Sequence, residues 1–95
     1  MHNPPHPGEV LREYLVSFAI ADVAAHIGMS DMALQRVIDG AENISVDMAY
    51  RLGDALNTSP EFWAGMQLDY DIYQASLVPR PKIECLSPAF TAAYD

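Results

Sequence analysis

Ninety-five residues, 51% of them hydrophobic, suit one core and exclude both a disordered chain and a second domain. Thirteen acids against five lysines and arginines leave a net charge of −8, which disfavours non-specific attraction to a phosphate backbone. No apolar run approaches the ~20 residues of a membrane span, residues 1–8 lack the pattern of a signal peptide, and the lone Cys85 has no internal disulfide partner, so a cytoplasmic location is expected.

Period and punctuation predict five helices. The first begins near Pro7, where a missing N–H costs nothing, with Glu9 placed to favour the helix dipole. Val10, Leu11, Tyr14, Leu15 and Phe18 form its apolar face. The second runs from about Ala21 to Ile27 and stops at Gly28. Ser30 is placed to cap a third, Asp31 to Asp39, with Leu34, Val37 and Ile38 turned inward and Gly40 after it. Helix, Gly-Met-Ser turn and helix make a helix-turn-helix pattern.

The fourth helix starts at Ser45, with Asp47 in its first turn and an inner face of Met48, Leu52, Ala55 and Leu56, and closes at Asn57. Two caps are open for the fifth. Ser59 can cap with Pro60 first, or Thr58 can cap with Glu61 completing a capping box. It reaches about Ala75, with Phe62, Met66, Tyr70 and Tyr73 along one side. Beyond it Pro79, Pro81 and Pro88 forbid a long helix, and Val78 to Leu86 is expected to be extended. No Gly-rich phosphate loop or His-Glu-x-x-His helix occurs. His2, His6 and His26 have no Cys or carboxylate to complete a metal site. No catalysis, metal or cofactor is expected.

Three blocks carry a resemblance. His6-Pro7-Gly8-Glu9 with Leu11-Arg12-Glu13 comes first. Val23-Ala24, Ile27-Gly28-Met29-Ser30, Val37-Ile38 and Gly40 follow. The third is Asp47, Ala49, Arg51-Leu52, Ala55-Leu56 and Thr58-Ser59-Pro60-Glu61-Phe62-Trp63, with Gln67 and Tyr70-Asp71 after it. Together they resemble the HigA-type antidote (antitoxin) proteins of toxin–antitoxin modules. The last block is the most specific, because Ser-Pro-Glu-Phe-Trp is not a general helix-turn-helix feature.

The resemblance implies an all-α, five-helix, repressor-like domain over residues 6–75, with 76–95 as an extended C-terminal arm. It also implies an antitoxin and autoregulator that binds operator DNA as a homodimer and neutralises a cognate toxin. A basic toxin would suit the acidic surface. The DNA-facing positions are Ser30, Asp31, Met32, Ala33, Gln35 and Arg36. Asp31, Met32, Ala33, Ala41 and Glu42 stand where such proteins usually carry basic or amide side chains. The alternative is therefore an acidic interaction module of the same fold with weak or lost DNA binding. An aromatic surplus on the fifth helix assigns Trp63, Met66, Tyr70 and Tyr73 to a dimer interface, with Phe62 and Met66 also placed towards the core.

Overall fold

The computed structural model describes residues 3–87, and its helices are α1 (Pro7–Tyr14), α2 (Ile20–Ile27), α3 (Asp31–Ile38), α4 (Val46–Leu56) and α5 (Pro60–Ser76). Expected features at His2, Pro88 and the last residues to Asp95 lie outside the described residues. There is no strand among the described residues, and none of their helices is long and apolar enough to cross a membrane.

Serines set three of the starts. Ser30, Ser45 and Ser59 each lie in extended backbone and accept a hydrogen bond from the N–H three residues on, that of Ala33, Met48 and Phe62. Of the two caps open for α5, Ser59 is the one used. Thr58 has another task, since its Oγ1 accepts the indole N–H of Trp63 at 2.8 Å. His6 caps α1, its Nδ1 accepting from Gly8 N–H at 2.9 Å, and its ring stands edge-on to Tyr70 with centroids 4.9 Å apart. Gly28 and Asn57 end α2 and α4 in the left-handed conformation, at φ 76° and 57°.

The core gathers Leu11 and Leu15 of the first segment, Ala24 and Ile27 of α2, and Leu34, Val37 and Ile38 of α3. Ile44, Met48, Ala49, Leu52 and Trp63 complete it. α4 packs along α5, while α3 lies against both α1 and α2. Gln67 is buried among these apolar groups with its amide satisfied: Oε1 accepts from Ile44 N–H at 2.7 Å and Nε2 donates to Asp71 at 2.9 Å.

Four expectations need correction. α1 stops at Tyr14 rather than continuing to Phe18, which lies past the helix and is exposed. Ala55 is exposed and Leu56 only half-buried, so the inner face of α4 is Met48, Ala49, Leu52 and Gly53. Trp63, assigned to a dimer interface, is 0% exposed within the protomer. Thr58 satisfies its N–H, and Tyr14 and Phe62 meet its ring edge-on, so the indole fills the core where no partner can reach it. Phe62, placed towards the core, is instead 38% exposed. Met66, Tyr70 and Tyr73 are half-buried along the same helix. Residues 77–86 are exposed and form no regular element.

Candidate nucleic-acid interface

α2, the turn 28–30 and α3 form a helix-turn-helix whose geometry follows from three local causes. Gly28 takes a positive φ, so its own N–H and that of Met29 fold back onto carbonyls in the last turn of α2, Met29 bonding Ala24 O at 2.8 Å. Ala24 has no accessible surface, and its small side chain permits the close approach of α3. Arg51 of α4 then holds the turn from behind, its Nη1 donating to Ile27 O at 2.7 Å and to Gly28 O at 3.4 Å. A cation there also faces the negative end of α2.

With Leu34, Val37 and Ile38 turned inward, the outer face of α3 presents Asp31, Met32, Gln35 and Arg36 to solvent. These side chains lie three and four positions apart and so share one face. Ser30 is exposed but committed to its capping bond with Ala33 N–H at 3.1 Å, and Ala33 is half-buried. The six candidate positions thus cluster on one helix start, four of them on its open side.

Their electrostatics are subdued. Arg36 Nη2 sits 3.1 Å from Glu42 Oε1 in the connection to α4. Gln35 Nε2 donates to Asp39 Oδ1 at 2.9 Å, and the same oxygen meets Arg12 Nη2 of α1 at 3.3 Å. Arg51 also pairs with Asp47 at 2.8 Å. Asp39, Arg12 and Arg51 had no place among the sequence candidates. The i, i+4 spacing of Gln35 and Asp39, and of Asp47 and Arg51, was the signal available for them. A shallow groove lined by Gly28, Ala33, Arg36, Glu42, Asp47 and Arg51 runs from α3 to the start of α4.

On the other side of the molecule, α5 exposes Leu68 and Ile72 beside half-buried Met66 and Tyr73. Met66, Ile72 and Tyr73, with Pro4 and Pro5, line an apolar groove.

No family model matches the chain. The chain is 35% identical over 89 residues to virulence-associated protein A′ of Dichelobacter nodosus, covering 90% of this chain and 77% of that protein. Antitoxin HigA of Pseudomonas aeruginosa, solved with the higBA promoter, superposes with a TM-score of 0.74 at 36% identity, over 78% of this chain and 84% of that one. An addiction module antidote protein of a HigA family from Coxiella burnetii gives a TM-score of 0.71 at 29% identity, over 85% of this chain and all of the other.

Proposed function

Because the chain belongs to the HigA-type antidote family of helix-turn-helix proteins, we propose that it is an antitoxin and autoregulator that binds its own operator as a dimer. The observation that carries this reading is the open face of α3 beside a correctly closed turn, in a chain 36% identical to a promoter-bound HigA. α3 is the helix that enters the major groove, with its first turns against base edges. Ser30 and the N–H groups at the start of α3 position a phosphate, and Asp31, Met32, Ala33, Gln35 and Arg36 lie along the groove. Two-fold symmetry then implies a palindromic operator.

The dimer contact falls on α5, through Met66, Tyr70 and Tyr73 with exposed Leu68 and Ile72, whose apolar side chains otherwise face water. Residues 6–75 form the working unit and 76–95 its arm. The chain acts in the cytoplasm, and its toxin is a basic protein, matched to the charge of −8. A second reading, an acidic interaction module without useful DNA affinity, is favoured by the Arg36–Glu42 pair and by Asp31 at the helix start.

A titration of the full chain against the duplex upstream of its own gene, beside a scrambled duplex, separates the two. Binding of the upstream duplex at least ten-fold tighter than the scrambled one, about 1.4 kcal/mol, supports the regulator. Equal binding to both, or none, removes it and leaves the interaction module.

A further inference from the structure

The side chains able to read guanine bidentately are arginine and lysine. Arg36 is the one such residue between positions 21 and 44, and it is engaged with Glu42 one turn beyond Met32 along the helix. Gln35 is different. Its Nε2 donates to Asp39 Oδ1 at 2.9 Å, which fixes the sense of the amide: nitrogen towards the carboxylate, oxygen away from it. Asp39 is itself held from α1 by Arg12 at 3.3 Å. Oε1 and one amide hydrogen of Gln35 have no partner among the described residues. An acceptor beside a donor is the complement of adenine, which shows N6–H and N7 in the major groove.

Met32 lies three residues earlier on the same face and is 74% exposed. A single exposed methionine is ordinary on any surface. This one stands in the first turn of the helix proposed to meet base edges, where an apolar tip matches the thymine methyl group. We infer that this chain reads A·T pairs: Gln35, oriented by Asp39, takes an adenine, Met32 packs on a thymine methyl, and no arginine contacts guanine. The inference rests on the operator-binding reading and names its base preference. Asp39 is a positioning residue here, acting through Gln35.

The test uses the full chain and the upstream duplex in four forms: unmodified, with uracil for thymine, with 7-deazaadenine for adenine, and with 7-deazaguanine for guanine. Uracil lacks the methyl, and the deaza bases lack N7. Affinity should fall about ten-fold with uracil and with 7-deazaadenine, the low end of what a good base contact contributes, and stay unchanged with 7-deazaguanine. Met32→Ala should lose the response to uracil alone. Gln35→Ala and Asp39→Ala should lose the response to 7-deazaadenine alone. Tight binding of the unmodified duplex that is indifferent to uracil and 7-deazaadenine, or that falls with 7-deazaguanine, overturns this inference and leaves the regulator intact. Failure to bind the unmodified duplex overturns both.

Discussion

Gly8→Ala is the sharpest test of how α1 sits on the helix-turn-helix. Gly8 occupies the second position of α1, where alanine would ordinarily be favoured over glycine by about 1 kcal/mol. Here the new methyl would run into the carbonyl oxygen of Val37, with the Val37 carbon at 3.0 Å and His6 Nδ1 at 3.1 Å. The obstacle is backbone, which cannot rotate away. That same carbonyl accepts from Gly40 N–H at 3.0 Å and so helps close the end of α3. Overpacking of this kind costs about 1–3 kcal/mol, and disturbing the His6 cap adds about 1 kcal/mol. After the helix gain is subtracted, a net loss of about 2 kcal/mol remains. In a domain of this size that lowers Tm by roughly 10 °C. Gly65→Ala is the matched control, because a methyl there meets nothing within 4 Å and should raise Tm by a few degrees. Thermal unfolding of both variants by circular dichroism decides the matter. A Gly8→Ala protein as stable as the wild type would mean that α1 does not approach α3 this closely.

Trp63→Ala should cost about 3–5 kcal/mol of protomer stability, measured by urea unfolding, and a loss under 1 kcal/mol would place the indole outside the core. Ala24→Leu should cost about 1–3 kcal/mol, because α2 and α3 meet at a residue with no accessible surface. An unchanged melting curve would contradict that crossing. Ile72→Glu, at a 59% exposed position on α5, should convert a dimer to a monomer in sedimentation while leaving helix content unchanged, and an unaltered mass would move the interface elsewhere. Replacing Asp31 and Glu42 together by Arg adds two cations per protomer and releases Arg36 from its pair. At about 0.9 per phosphate, the slope of log K against log salt should steepen by about 3.6 in a dimer from the added cations alone, and by about 5 where the released Arg36 also meets phosphate. An unchanged slope would show that α3 does not face DNA.

The parts of the fold legible in the sequence are those governed by local chemistry. Ser30, Ser45 and Ser59 announce helix starts because a short hydroxyl side chain meets a nearby N–H, and Gly28 and Asn57 announce ends because they tolerate positive φ. The illegible parts depend on what another element supplies. α5 carries apolar side chains on several faces, so periodicity alone could not choose between Phe62 and Trp63 as the inward ring. Thr58 makes that choice by accepting the indole N–H, a contact between a loop and a helix. His6 gave no capping signal because histidine is not a preferred cap, and nothing local marks Gln67 as buried, because the Ile44 N–H that its Oε1 accepts from lies 23 residues away. At the candidate interface the residue types were legible, and so was the i, i+4 spacing that joins Gln35 to Asp39, but the engagement of Arg36 by Glu42 beyond the end of α3 was not.

Those pairings bear on how an acidic protein can regulate transcription at all. Arg12 donates to Ile38 O at 3.4 Å, Arg51 to Ile27 O at 2.7 Å and Arg80 to Ala75 O at 2.9 Å. Each cation therefore lies at the C-terminal end of a helix, where the dipole favours it. Arg36 is paired with Glu42. Four of the five basic side chains thus serve the scaffold before they serve any phosphate. Non-specific affinity for DNA is essentially the sum of phosphate contacts, so in this chain it should be small. Base contacts do not draw on that sum, and an amide such as Gln35 reads its partner without net charge. Discrimination is the ratio of specific to non-specific binding, and it widens when the denominator falls faster than the numerator. The acidic surface that weakens attraction to arbitrary duplex also raises attraction to a basic partner protein. One distribution of charge then favours both proposed roles: a regulator that ignores most DNA, and an antidote that a basic toxin finds readily.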